Sequence, residues 1–423
     1  MRRRIPLTVG VLLAVCATVC ATVGAEDWTG FRGPHGNGVS TDADIPVRWG
    51  PEKNILWKAS LPGPGFGSPI VSNGRVFVTC DTDAGKSRTL LCFDRQDGHL
   101  VWKKSATYTK REPTFRGQPH STTTPAADGK RVVVWHGSAG VFCYDFKGRQ
   151  LWRRDLGRFQ HAFGYGSSPV LYKGRVILWC GPGRRTFMVS LDLKDGRVIW
   201  KTEEPGGSDS AKTGLVGSWS TPMIVRVGGQ EQIVCNLPTR VAGFNPDNGR
   251  ILWWVDGLTG RNGKLVYTSS VFSGDVGVAL GGYHGPALGF KVGGTGDVTK
   301  TNRLWRHYDR QPQRIGSGVA VGRFLYICND RPATVECLNL ETGKPMWQSR
   351  LAGGGAWGSV VLADGRLYIT VKNGTTHVFL PNPRKFQLVA SNALGESSMA
   401  TPAISDGNIF IRTSGHLFCI GRK

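Results

Sequence analysis

Hydrophobic and polar residues alternate along most of this chain in short runs that turn residues separate. In CFDRQDGHLVWKK, residues 92–104, an apolar run ends at Asp94, a turn rich in Asp and Gly follows, and a second run ends on Trp102. Alternation with a period of two indicates β-strands, and a Gly preceded by Asp or Asn indicates a tight turn between them. The 423-residue chain also contains 59 Gly and shows no sustained 3.6-residue periodicity. The pattern therefore predicts an all-β fold.

The same phrase returns as SLDLKDGRVIWKT, GFNPDNGRILWWV and CLNLETGKPMWQS, starting at residues 190, 243 and 337. Each unit comprises a Ser/Thr-Pro strand, a β-branched strand, a strand ending in Asp or Asn, and a strand ending in Trp. Eight first strands are recognised, starting near residues 67, 123, 167, 220, 269, 316, 358 and 400. The Trp recurs at intervals of 42 to 53 residues. A period of this length with four strands is typical of a β-propeller.

The two ends of the chain indicate how the ring closes. The last unit, residues 400–420, supplies three strands and stops without its Trp strand, whereas NILWKA around Trp57 supplies one such strand near the other end. The prediction is an eight-bladed β-propeller of four-stranded antiparallel blades, in which the Trp57 strand joins the C-terminal blade and leaves no open edge. Large rings at one repeated place are expected to fill the gaps between blades; these are Trp57, Trp102, Trp152, Trp200, Trp253, Trp305 and Trp347.

These repeats, exemplified by SPIVSNGRVFV and LLCFDRQDGHLVWK, resemble the PQQ-like β-propeller repeat. That superfamily includes the BamB-like assembly lipoproteins and the quinoprotein alcohol dehydrogenases. The resemblance covers residues 54–421, and the preceding DWTGFRGPHGNGVS is similar to the lead-in of exported propellers, especially those of planctomycete-like bacteria. The resemblance implies the fold, whereas the repeat marks blades rather than chemistry.

The N-terminus has the features of an export signal. Three Arg precede an apolar run, and Val23-Gly24-Ala25 offers the small residues of a cleavage site. We expect a signal peptide over 1–25, a lead-in over 26–53 and the propeller over 54–423. The protein is then exported to the periplasm or cell envelope, with lipidation at Cys16 or a retained anchor as alternatives.

The net charge is +23, or +20 once the signal segment is removed. A basic surface favours anionic partners. For an exported protein these partners are an envelope protein or an anionic polymer, with peripheral membrane association as an alternative. We expect no nucleic acid partner, and we expect the protein to be a monomer. Simple solubility is the other interpretation of the charge, because the Lys and Arg are spread along the chain.

Quinoprotein dehydrogenases of this fold resemble one another in a vicinal Cys-Cys pair, a stacking Trp and a Ca²⁺ site beside a catalytic Asp. This sequence has no adjacent Cys pair and no Cys-x-x-Cys-His motif. Its eight Cys beyond the signal segment recur at equivalent strand positions, which indicates buried free thiols rather than disulfides or zinc ligands. We therefore predict no catalytic residue, metal or cofactor, with a PQQ-dependent or other quinoprotein dehydrogenase carrying Ca²⁺ as the alternative.

Long linkers between blades carry the candidate binding residues. The linkers at 103–121, 154–165 and 201–218 all belong to one face of a propeller and concentrate basic and aromatic residues. The alternative to a binding role is that these are ordinary solvated loops whose aromatic side chains pack against one another. For Trp219 the alternative is a role in packing alone. The predicted function is a non-catalytic BamB-like scaffold that binds its partner through this face. The candidate residues are Arg111, Phe115, Arg116, His120, Arg158, His161, Tyr165, Trp219 and Tyr267.

Overall fold

The alternating runs of the sequence form short antiparallel strands. The computed structural model describes residues 26–183, 185–204, 216–261, 263–308 and 311–422. The predicted signal peptide, including Cys16, and part of the linker at 201–218 lie outside these residues. Within them the helical segments are α1 (Thr299–Asn302) and 3₁₀ turns at Asp83–Gly85, Phe115–Gly117 and Gly137–Ala139, and none is long and apolar enough to span a bilayer.

The strands form eight blades, each with its first strand innermost. Strand β1 (Ile55–Ser60) belongs to blade 8. Blade 1 contains β2 to β5 (Ile70–Ser72, Arg75–Thr82, Ser87–Asp94, Leu100–Thr107), and blade 2 contains β6 to β9 (Ala126–Ala127, Arg131–Trp135, Val141–Asp145, Gln150–Arg154). Blade 3 contains β10 to β13 (Val170–Tyr172, Arg175–Cys180, Thr186–Asp192, Val198–Glu204), and blade 4 contains β15 to β18 (Met223–Val227, Gln230–Asn236, Arg240–Phe244, Ile251–Asp256).

Blades 5 to 8 repeat the arrangement. Blade 5 contains β20, β21, β22 and β24 (Val271–Ser273, Val276–Leu280, Ala287–Lys291, Arg303–His307), and blade 6 contains β25 to β28 (Val319–Val321, Phe324–Cys328, Thr334–Asn339, Pro345–Arg350). Blade 7 contains β29 to β32 (Val361–Ala363, Arg366–Thr370, Thr375–Phe379, Leu388–Ala393), and blade 8 contains β33 to β35 (Ala403–Ser405, Asn408–Arg412, His416–Ile420) together with β1. Three short strands lie outside the four-stranded pattern. Strand β23 (Gly296–Asp297) pairs in parallel with the outer strand of blade 4. Strands β14 (Val216–Ser218) and β19 (Lys264–Val266) pair in parallel with each other as a separate two-stranded sheet.

Strand β1 closes the ring as predicted. It pairs antiparallel with β35, with Trp57 opposite Cys419, so the first strand of the chain is the outer strand of the last blade. The sequence-based fold prediction, eight blades closed by the Trp57 strand, is confirmed. Because every blade then has a neighbour on both sides, the innermost strands surround a channel.

The repeated Trp residues connect neighbouring blades. Trp57 Nε1 donates to the Arg95 carbonyl of blade 1 at 2.9 Å, and its ring covers Gly98, where a Cβ would lie 2.5 Å from the ring. Gly98 also has a φ of +74°, so the turn requires Gly for two reasons. Five further Trp donate to the next blade at 2.8–3.0 Å, namely Trp102, Trp152, Trp200, Trp305 and Trp347. Trp253 differs, since it donates to Gln232 of its own blade at 2.7 Å.

The Ser/Thr-Pro phrase forms a ring of hydroxyl groups around the channel. In each blade the hydroxyl oxygen accepts a hydrogen bond from the backbone N–H of the equivalent residue in the preceding blade, at 2.8–3.1 Å. We call these eight residues the hydroxyl ring: Ser68, Thr124, Ser168, Thr221, Ser269, Ser317, Ser359 and Thr401. All eight are buried, so each bond satisfies a backbone donor that water does not reach.

The propeller has two distinct faces. Hairpins joining the first to the second strand and the third to the fourth strand of each blade define the turn face. The interblade linkers and the loops between the second and third strands define the loop face. The lead-in lies on the turn-face side, where the Val71 amide donates to the Trp28 carbonyl at 2.9 Å and the Leu362 amide donates to the Gly38 carbonyl at 2.8 Å. These contacts join blades 1 and 7, so the lead-in crosses the turn-face end of the channel.

Candidate functional site

The first long linker, residues 108–125, is anchored to the loop face by a buried ion pair. Arg88 of β4 contacts the Glu112 carboxylate, and the two side chains are 1% and 3% exposed. Glu112 also accepts a hydrogen bond from the Ser138 hydroxyl, and Arg88 donates to the His136 carbonyl. Because breaking a buried pair leaves an uncompensated charge, these contacts hold the linker in one position.

The candidate residue His120 is part of the same anchor rather than of the exposed surface. Asp81 of β3 accepts hydrogen bonds from the His120 amide at 2.6 Å, from His120 Nδ1 at 3.3 Å and from the Ser121 amide at 2.8 Å. Burial by itself would raise the pKa of Asp81, but these hydrogen bonds outweigh it and lower that pKa. The hydrogen bond to Asp81 is the main cause that raises the pKa of His120.

Four candidate side chains remain exposed on this anchored support. Arg116 lies 5.0 Å over the Phe115 ring, and Arg158 of the second linker donates to the Arg111 carbonyl of the first at 3.0 Å. We name Arg111, Phe115, Arg116 and Arg158 the linker patch. The structure thus places exposed parts of the two linkers beside each other.

A row of aromatic contacts runs from the linker patch towards the channel. Phe115 contacts Phe163 with ring centroids 5.1 Å apart, Phe163 contacts Trp219 at 6.2 Å, and Trp219 contacts Tyr267 at 5.2 Å. The candidate His161 also contacts Trp219, at 5.0 Å, but is itself buried. Trp219 and Tyr267 are half-buried, whereas the candidate Tyr165 is buried against Trp135, with ring centroids 5.1 Å apart. Tyr165 and His161 therefore support the linkers from beneath.

Trp219 and Tyr267 belong to a layer that the sequence analysis did not recognise. One residue of each blade lies two positions before the hydroxyl ring, and all eight are half-buried. Phe66 of blade 1 contacts Trp357 of blade 7 at 5.6 Å although blade 8 lies between them, which places both rings near the channel axis. The shared offset from the Ser/Thr-Pro phrase is the signal that could have revealed this funnel layer: Phe66, Thr122, Gly166, Trp219, Tyr267, Ile315, Trp357 and Met399.

The funnel layer does not supply the donor set of a calcium–quinone site. Flat rings suit a planar ligand, but Ca²⁺ requires six to eight converging oxygen atoms. Within the described ranges, the one group of three His, Cys, Asp or Glu ligand atoms is Asp94, Asp97 and His99, in a hairpin of the turn face. Among the side chains of the funnel layer, the oxygen ligands are the hydroxyls of Thr122 and Tyr267, so the layer offers mainly aromatic surface.

The cysteines beyond the signal segment are free and buried. Burial is the main cause that raises the pKa of Cys80 to about 11 and the pKa of Cys92 to about 12. A thiol with so high a pKa forms little of the reactive thiolate at neutral pH. Their place in the strands indicates a packing role.

A cavity of about 660 Å³ lies on the turn face between the lead-in and the inner strands of blades 1 to 4. Its cationic side chains are paired, Arg131 with Asp128 at 2.8 Å and Lys173 with Glu231 at 2.6 Å. It therefore offers a polar but charge-balanced lining, in contrast to the linker patch.

Comparison with known proteins assigns the family. The family model described as outer membrane protein assembly factor BamB matches residues 47–119 and 86–349, and the chain belongs to this family of PQQ-like propeller proteins. The chain is 21% identical over 334 residues to the outer membrane protein assembly factor BamB of Burkholderia pseudomallei. The aligned region covers 78% of this chain and 68% of that protein.

Enzymes are also among the similar proteins. The chain is 23% identical over 179 residues to a polyvinylalcohol dehydrogenase of Pseudomonas, which covers 38% of this chain and only 26% of the dehydrogenase. BamB of Moraxella catarrhalis has a TM-score of 0.52 at 13% identity, covering 89% of this chain and 96% of that structure. The quinohemoprotein alcohol dehydrogenase ADHIIG of Pseudomonas putida has a TM-score of 0.59 at 11% identity, covering 93% and 80%. At these identities the structural similarity shows the fold alone.

Proposed function

We propose that this protein is an exported, non-catalytic scaffold of the cell envelope that holds a partner protein on its loop face. The observation that carries the proposal is the linker patch, where Arg111, Arg116 and Arg158 stand exposed beside Phe115. Exposed cationic and aromatic side chains are the groups that most often anchor protein interfaces. The relatives named as outer membrane protein assembly factors support an envelope role.

Rigidity favours recognition at this patch. Both linkers that carry it are tied down, the first by the Arg88–Glu112 pair and the second by the hydrogen bonds of Phe159, whose amide donates to the Ser138 hydroxyl at 2.8 Å. A pre-organised loop loses less conformational entropy on binding than a free loop does. The cationic groups favour an acidic partner surface.

A pull-down of envelope extracts tests the proposal. The double variant Arg116→Glu, Arg158→Glu should capture the partner at least about tenfold less than the parent, because charge reversal places like charges against an acidic surface. A matched control reverses two exposed Arg of the turn face, Arg149→Glu and Arg197→Glu, whose side chains are 79% and 69% exposed. Equal capture by the two double variants would contradict the proposal, and capture that survives protease but not polysaccharide hydrolases would assign an anionic polymer instead.

A planar ligand in the funnel is the second candidate, and the Trp219–Tyr267 contact at 5.2 Å is the observation that favours it. The alternative of a PQQ- and Ca²⁺-dependent dehydrogenase is tested by incubating the purified protein with PQQ and Ca²⁺. We expect an unchanged absorption spectrum and no dye-linked alcohol oxidation above background. A spectral shift that Trp219→Ala abolishes would establish a funnel ligand.

A further inference from the structure

The lead-in inserts one charged side chain into the end of the channel. Arg32 is fully buried and has a φ of +61°, a conformation that is uncommon for residues other than Gly. Its Nη2 atom donates to the Asn37 carbonyl at 2.9 Å and to the Gly318 carbonyl of blade 6. Arg32 is therefore one of the residues that fasten the lead-in to the inner strands, together with Trp28 and Gly38.

The guanidinium of Arg32 is incompletely compensated. Its Nε and Nη1 atoms make no hydrogen bond with any described residue. Burial alone lowers the pKa of Arg32 to about 9, with no charged group of the described chain to offset it. Burying a cation is costly unless a counter-charge and hydrogen-bond acceptors accompany it.

Three other Arg are buried to the same degree, and each is better compensated. Arg88 faces Glu112, and Arg314 donates to Glu336 from Nε at 3.1 Å and from Nη2 at 2.7 Å. Arg412 has no carboxylate partner, but Nε, Nη1 and Nη2 each donate to a backbone carbonyl, at 3.2–3.4 Å. Arg32 is thus the exception among the four fully buried Arg of the described chain.

The guanidinium of Arg32 lies against backbone that adjoins the hydroxyl ring. Gly318, which accepts from Arg32, follows Ser317 of the hydroxyl ring, and Gly38 of the lead-in packs beside both Arg32 and Val360, which follows Ser359. The Nε and Nη1 donors of Arg32 are therefore buried beside this backbone without an acceptor among the described residues. A buried guanidinium with unpartnered donors and no counter-charge favours a bound anion.

We propose that the channel end binds a small inorganic anion of halide size, held by the unpartnered Nε–H and Nη1–H groups of Arg32. The anion supplies the missing counter-charge and locks the lead-in across the channel. Gly38 packs so closely that a Cβ there would lie 3.3 Å from Arg32 Nη2 and 3.4 Å from Nε, and this close packing favours a small ion. This site is independent of the linker patch, which lies on the other face.

Bromide and chloride serve as probes. In crystals of the full chain grown with sodium bromide, an anomalous difference peak should lie within hydrogen-bonding distance of the Arg32 guanidinium. In solution, the melting temperature should rise by about 2 °C or more from gluconate to chloride at equal ionic strength and should saturate, because the ion binds only the folded state. The absence of a bromide peak at Arg32 would overturn the proposal.

Two variants separate the site from a general salt effect. Arg32→Met retains much of the side-chain volume but no donor, and it should remove the chloride-dependent rise. Arg149→Met changes an exposed Arg of the turn face and should leave the rise unchanged. A chloride response of the same size in Arg32→Met and in the parent would refute the proposal. If Arg32→Met does not fold, the bromide crystals of the parent decide the question.

Discussion

The backbone N–H of Thr401 donates to the hydroxyl oxygen of Ser68 at 3.0 Å, and this bond joins the last blade to the first. Ser68 in turn donates its own N–H to Thr124 of blade 2 at 3.0 Å. The contact between the two ends of the repeat is therefore the same contact that joins every other pair of neighbouring blades. The ring is closed twice, by these hydroxyls at the channel and by β1 at the perimeter.

Replacing Ser68 by Ala should destabilise the protein by about 1–3 kcal/mol, since the buried Thr401 amide loses its acceptor. The free energy of unfolding is measured by urea titration. Ser68→Thr is the matched control, because Thr occupies the equivalent position in blades 2, 4 and 8. A loss below about 0.5 kcal/mol for Ser68→Ala would mean that water satisfies the amide.

Replacing Trp200 by Ala should destabilise by about 3–5 kcal/mol, the usual cost of removing a large buried ring. Trp200 is 8% exposed, donates to the Pro246 carbonyl at 2.9 Å and covers Gly249 of the next blade. Leu100→Ala is the control, because Leu100 is 46% exposed on an outer strand. A Trp200→Ala loss below about 1 kcal/mol would show that the blade contact is dispensable.

The blades were predictable because each one repeats the same physical pattern. The Ser/Thr-Pro phrase, the Asp-Gly turn and the terminal Trp recur in register, so an error in one unit is corrected by the others. The same repeat assigns the Trp57 strand to the last blade, because the last unit has only three strands and the Trp57 strand belongs to no other unit. The pairing of Trp57 with Cys419 confirms this inference.

The candidate site was less predictable, because the linkers do not repeat. Their composition indicates aromatic and basic residues, but nothing in the sequence distinguishes the exposed Phe115 from the buried Tyr165, which packs on Trp135 of β7. The ion pair between Arg88 and Glu112 also depends on tertiary packing. The course of the lead-in has no repeat to predict it, and for that reason the burial of Arg32 was not anticipated.

His120 should make stability depend on pH. Its pKa is raised in the folded state by the hydrogen bond to Asp81. The folded state therefore holds this proton more tightly, so the stabilisation is complete below about pH 6.5, the ordinary histidine pKa, and is lost as pH rises through the folded pKa. Urea titrations between pH 6 and pH 9 should show a decrease in the parent that His120→Asn lacks. Parallel pH profiles would rule out this contribution.

Replacing Glu112 by Gln should destabilise by about 3–5 kcal/mol, because Arg88 then remains buried without its counter-charge. The double variant Arg88→Met, Glu112→Leu removes both charges and should recover much of that loss. The single variants Arg88→Met and Glu112→Leu, their double variant and the parent together complete a double-mutant cycle of unfolding free energies. Equal stability of the single and double variants would indicate that the pair does not anchor the first linker.

The most direct test of the binding role is site-specific photo-crosslinking. A photoreactive phenylalanine analogue replaces Phe115 in the linker patch, and in parallel Leu100 on the perimeter, which is exposed to a comparable degree at 46% against 37% for Phe115. After irradiation in the intact cell envelope, adducts are separated by gel electrophoresis and identified by mass spectrometry. The account predicts one discrete protein adduct from position 115 and none from position 100. An adduct from position 100 with none from position 115 would contradict it.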